Sequence, residues 1–209
     1  MAQEMSANIK NLIAALSSFD DLRRVKARKE LAAIGKPALP YLVEALKDSN
    51  HLVRWEAVKA LGEIGDPETA PALVKALEDE EFEIRWLAAK GLVGMNVKGL
   101  EPLFQALIQH ADSAYLREGA HHVLHDLAKG ELRPYLAPLL IALEDFEPAV
   151  QVPAAASRAT GMLEKFLKTA HKTNGSFLRQ LTVSIPSQTA LDLGPHRRAR
   201  RYVRSLRNG

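Results

Sequence analysis

One block of this sequence occurs four times. Residues 53–65 read VRWEAVKALGEIG, residues 84–96 read IRWLAAKGLVGMN, residues 116–128 read LREGAHHVLHDLA, and residues 23–35, RRVKARKELAAIG, follow the same template with a charged first position. Ile34, Ile64, Met95 and Leu127 mark equivalent sites at spacings of 30, 31 and 32 residues. A second marker interleaves with the first: the dipeptides Ala15-Leu16, Ala45-Leu46, Ala76-Leu77, Ala106-Leu107 and Ala142-Leu143. A period in this range excludes a single closed core, because each unit is too short to bury its own apolar face and must stack on its neighbours.

The unit itself reads as two helices. Val53, Ala57, Ala60, Leu61 and Ile64 fall within an arc of about 100° on a helical projection, as one buried face requires. Gly65 closes that helix and Asp66-Pro67 opens the next, expected over Glu68 to Leu77, since glycine adopts the left-handed closing conformation and proline is pre-set for a first turn. No segment of the first 163 residues alternates as a strand does.

Units built as V-R-x-x-A-x-x-A-L-x-x-I-G followed by D-P-x-x-x-P-x-L-x-x-A-L-x-D resemble HEAT repeats, in the short variety found in phycobilisome-lyase-like proteins. The resemblance covers roughly residues 8–163. It implies an all-α, right-handed α-solenoid of about five helix hairpins, with the V-R helices lining the concave face. The recurring arginine of that family maps onto Arg24, Arg54, Arg85 and Arg117, and its loop aspartate onto Asp48 and Asp79. Each aspartate precedes an arginine by six residues, so a ladder of charge-assisted bonds between loops and helices is expected. The fifth copy departs from the template, with Pro153 where the arginine belongs, and reads as a degenerate terminal repeat.

In a solenoid, equivalent positions stand side by side at the 8–10 Å of helix packing, so surface residues are read down columns. The column after the arginine is Val25, Trp55, Trp86 and Glu118. Trp55 lies about 200° around the helix from Val53, so both tryptophans are expected on the concave, non-core side. There they act either as binding anchors or as extensions of the core between repeats. A second column, Lys29, Lys59, Lys90 and His122, gives a basic stripe or a solvated face, with Glu56 sharing the surface. The candidate partner-binding set is therefore Trp55, Trp86, Glu56, Lys59, Lys90 and His122.

Charge divides the chain. Residues 164–209 carry ten basic against two acidic side chains, whereas the first 163 carry 18 against 23. This places a solenoid at 1–163 and a basic C-terminal extension at 164–209. The extension ends in HRRARRYVRSLRNG, where Arg197, Arg198, Arg200, Arg201, Arg204 and Arg207 have no acid among them. Such a tail suits nucleic-acid phosphate, an anionic lipid surface or an acidic protein surface, including the chain's own segment at Glu78 to Glu83, or is a solubilising terminus.

Zero cysteines exclude thiolate chemistry, and no run approaches the roughly 18 apolar residues of a membrane span, so a cytoplasmic chain is expected. No nucleophile elbow, phosphate-cradling loop or H-E-x-x-H occurs, so no catalytic residue, metal site or cofactor is assigned. His121 and His125, four apart, make a weak metal pair. The expected function is a non-enzymatic protein-protein interaction scaffold that binds another protein on its concave face. The alternatives are nucleic-acid binding through the arginine tail and, third, a phycobilin-lyase-like enzyme implied by the resemblance alone.

Overall fold

A computed structural model of the chain describes residues 2–173. The arginine-rich tail, Arg197 to Arg207, lies outside the described residues. Among the described residues ten α-helices form five consecutive hairpins. These are α1 (Ala2–Ala15) with α2 (Asp21–Ile34), α3 (Leu39–Ala45) with α4 (His51–Ile64), and α5 (Ala70–Ala76) with α6 (Phe82–Met95). Next come α7 (Leu100–Gln109) with α8 (Ala114–Leu127), and α9 (Arg133–Leu143) with α10 (Pro148–Thr173). The described residues contain no strand, and the architecture is an all-α solenoid.

Local chemistry sets the helix ends. Asp20, Asn50 and Ser113 are N-caps whose side chains accept from backbone N–H groups of the first turns of α2, α4 and α8. Gly65 closes α4 at φ 65° and ψ 23°, and Asn96, at φ 55°, takes the equivalent post in the next unit. The second helix of the unit differs from expectation. Instead of one helix from Glu68, a 3₁₀ turn at Pro67–Thr69 precedes α5. Pro71 has no N–H to return to Pro67, so the turn closes through the tighter Ala70 N–H to Pro67 carbonyl bond.

Helices α2, α4, α6 and α8 form one layer and pack closely in succession. Their contacts are made of small side chains: Ala57, Ala60, Ala88, Ala89 and Ala120 are buried, and a Cβ placed on Gly91 would lie 3.6 Å from the Gly62 Cα and 2.9 Å from Leu73 Cδ1. In the other layer α3 and α5 scarcely meet. A double layer that is tight on one side and splayed on the other curves toward its tight side, so the α2–α4–α6–α8 layer is the concave one. The core is the seam between layers, where Leu31, Leu42, Leu61, Leu73, Leu92, Leu103 and Phe104 are buried.

The array ends differently from the way it repeats. Helix α10 leaves the inner layer and packs on α7 and α9. Its buried residues Val152, Ala155, Ala156, Ala159 and Leu163 form one stripe, and Phe166 meets Tyr135 with ring centroids 4.8 Å apart. It runs through residues 163 and 164 without a break. No helix of the described residues is long and apolar enough to cross a membrane.

Candidate functional site

The recurring arginine makes the same bond in every unit. Nη1 of Arg24, Arg54, Arg85 and Arg117 donates to the carbonyl of the residue six before it, namely Ser18, Asp48, Asp79 and Ala111, at 2.6, 2.9, 2.8 and 2.6 Å. The expected ladder is present, but its acceptors are backbone carbonyls. A carboxylate rung spans repeats: Arg54 grips Asp79 of the following unit through Nε and Nη2 at 2.8 and 3.1 Å, and Glu80 at 3.0 Å. That fork holds the Arg54 guanidinium above its ordinary pKa despite partial burial.

Along the chain these arginines part company. Arg24 has carboxylate partners in Asp21 and in Glu56, the latter at 3.5 Å. Arg54 has Asp79 and Glu80. Arg85 and Arg117 have no carboxylate partner among the described residues. Arg85 donates to the Asp79 and Glu80 carbonyls and stands over Tyr115, with Cζ 4.0 Å from the ring centroid.

Of the expected partner-binding residues, Glu56 is not on the surface. It is 0% exposed, with Oε2 accepting from Arg28 Nη1 at 2.8 Å, while Arg28 Nε lies 2.9 Å from Glu63. The reason is visible in the columns. Glu56 shares its position with Lys26, Leu87 and Gly119, and Arg28 shares its position with Val58, Ala89 and His121; Leu87, Gly119, Val58 and Ala89 are buried, while Lys26 is exposed and His121 half-buried. Charge of opposite sign in two columns that are apolar and buried in the neighbouring α6 was the signal for a buried pair, and position opposite the core stripe misassigned it.

Trp55 and Trp86 are half-buried, each packed against the core and each still open on one side. Lys59 stands over Trp55 with Nζ 4.3 Å from the ring centroid. The basic stripe is not a uniform one. Lys29 is exposed, Lys90 pairs with Asp126 at 3.3 Å, and His122 is largely sunk beside the same aspartate. Burial pushes the His122 pKa below its ordinary value against the opposing pull of Asp126. Burial would raise Asp126, but the charges of His122 and Lys90 outweigh it and hold its pKa below the usual carboxylate value.

Trp86 and His122 come together in a cleft of about 240 Å³ between α6 and α8. Phe82, Arg85, Trp86 and Ala89 line one side, Arg117 to Gly119 with His121 and His122 the other, and Leu143 one end. Gly119 is one of its lining residues: a Cβ there would strike Leu77 Cδ2 at 2.8 Å, so glycine lets α8 sit this close to the residue that follows α5. Trp55, Lys59 and Lys90 do not line this cleft. Sequence columns missed Phe82 and Leu143, which lie outside the repeated block.

His121 and His125 stack with centroids 6.2 Å apart, and His121 Nε2 is hydrogen-bonded to Glu144 at 2.8 Å. Among the described residues no group of three or more histidine and acidic side chains is placed to hold a metal ion.

Residues 9–92 match the family model for HEAT repeats. No curated protein matches the chain. Among solved structures, the crystal structure of an engineered protein is 20% identical, covering 86% of this chain and 90% of that one with a TM-score of 0.39. HEAT repeats are in general protein-interaction scaffolds. Residues 9–92 match HEAT repeats, and the hairpins that follow continue the same stack in an all-α solenoid.

Proposed function

We propose that this solenoid is a non-enzymatic scaffold that binds another protein along its concave layer. The observation that carries the reading is the pair of tryptophans at one position of successive inner helices. Each is anchored in the core on one side and open on the other. A half-sunk tryptophan is rigid and amphipathic, so a partner covering it desolvates a large area at little cost in side-chain entropy. Lys59 above Trp55 adds a cation beside one anchor, and the α6–α8 cleft adds a recess beside the other. Glu56 is not part of this surface.

Affinity capture from the native host tests the proposal, comparing intact protein with the Trp55→Ala/Trp86→Ala double variant. The expected result is a specific protein captured by the first and lost from the second, with both folded by circular dichroism. Recovery that disappears on nuclease treatment would transfer the function to nucleic acid and to the arginine tail.

A further inference from the structure

Four equivalent arginines occupy four equivalent helix starts, and the second pair differs from the first in one respect. Arg24 and Arg54 are neutralised by carboxylates, while Arg85 and Arg117 bond only to backbone carbonyls. Arg85 and Arg117 both line the same cleft, together with Phe82, Trp86 and Gly119. Each is held in place, Arg117 by its bond to the Ala111 carbonyl and Arg85 by two carbonyls and the Tyr115 ring. The one acid on the lining is Glu118, which is exposed; Glu144 is tied to His121.

Size narrows the occupant. A cavity of roughly 150 Å³ holds a benzene ring, whereas clefts for drug-sized ligands begin near 300 Å³. At about 240 Å³ this cleft admits a single large side chain. We infer that the α6–α8 cleft is an anchor pocket for an acidic peptide segment of a partner protein, which inserts one aromatic or large aliphatic side chain and places a flanking carboxylate on Arg85 or Arg117. The inference rests on the scaffold reading and specifies the chemistry of the segment that the concave layer recognises.

The experiment uses the full chain carrying Trp55→Phe, which leaves Trp86 as its one tryptophan and hence a fluorescence reporter within the cleft. The probes are short peptides with a central Phe or Leu flanked by Glu, by Ser or by Lys. The expected order of affinity is Glu over Ser over Lys, with a gap of about tenfold between the Glu and Ser sets that narrows as salt is raised. Arg117→Gln should weaken the Glu-flanked peptides by about tenfold. Because that change also removes a loop bond, Glu118→Gln provides the second arm: it alters an exposed side chain, and it should tighten the same peptides severalfold by removing a like charge.

Absence of binding by the Glu-flanked set at millimolar concentration would overturn the inference, as would affinity indifferent to flanking charge or to Glu118→Gln. Self-association that Trp86→Ala abolishes would assign the cleft to a second copy and overturn it as well. A protein partner whose capture needs Trp55 but ignores Glu118→Gln would sink the acidic-anchor inference while leaving the scaffold reading standing. Loss of all specific capture would defeat the scaffold reading itself.

Discussion

At the scale of single residues the two most informative side chains are Glu56 and His122, both polar groups that the inner layer has covered. Glu56 is sealed between Arg24 and Arg28, so its removal leaves each largely buried guanidinium with one remaining carboxylate, Asp21 for Arg24 and Glu63 for Arg28. Glu56→Ala is expected to cost about 1.5–3 kcal/mol in urea unfolding, while the double change Arg28→Leu/Glu56→Leu should recover much of that loss, because apolar residues of similar volume replace a buried ion pair at little net cost. His122 gives a pH signature. Its pKa is depressed below 6.5 in the folded chain, so the unfolded chain takes up the proton first as pH falls. Its contribution is thus fully present above pH 6.5 and is lost as pH drops through the depressed folded value. Asp126 and Lys90, with His121 and His125, are the charged and titratable neighbours, and Asp126 remains ionised across this window. The measured difference in stability between wild type and His122→Gln should shift in favour of the variant on acidification below pH 6.5; a difference that does not vary with pH would refute the assignment.

The helix is the scale at which the concave layer is decided. Helices α4, α6 and α8 approach closely because glycine and alanine occupy their contacts, and two glycines make the point in opposite directions. Gly119→Ala would drive a methyl into Leu77 and is expected to destabilise by about 1–3 kcal/mol. Gly94, in α6, has open space around it, so Gly94→Ala should stabilise by about 0.5–1 kcal/mol through helix propensity alone. Thermal or urea unfolding of the pair reads both signs in one experiment. Trp55→Ala belongs between these cases. A half-buried tryptophan packed on the core is expected to cost about 2 kcal/mol, more than an exposed anchor and less than the 3–5 kcal/mol of a fully buried one.

For the whole molecule, near-neighbour stacking predicts a far-UV spectrum dominated by helix and a scattering profile of an elongated, curved particle. A spectrum rich in sheet would refute the architecture. The array's end is set by α10, which covers α7 and α9 rather than adding another inner helix. Truncation before Pro148 is therefore expected to expose the apolar faces of α7 and α9 and to cause association or loss of cooperative unfolding, even though all four copies of the V-R block are kept.

What the sequence by itself determined is everything that repeats. The helix pairs, the apolar seam and the arginine at each inner helix start recur at one period, and short-range contacts make each copy solve the same local problem. What only the tertiary structure decided is everything in which one copy departs from the others. Columns locate a residue around a helix, but the distance between neighbouring helices sets whether that position is covered. Tertiary packing covered Glu56 with Arg24 and Arg28 of α2 and half-covered the tryptophans against the core. It also recruited Leu143 from α9 to the end of a cleft that no single repeat contains. The choice of α10 between α8 and α7 was likewise invisible in a stripe of Val152, Ala155, Ala156, Ala159 and Leu163, since an apolar stripe states that a helix must be buried and leaves open against which neighbour.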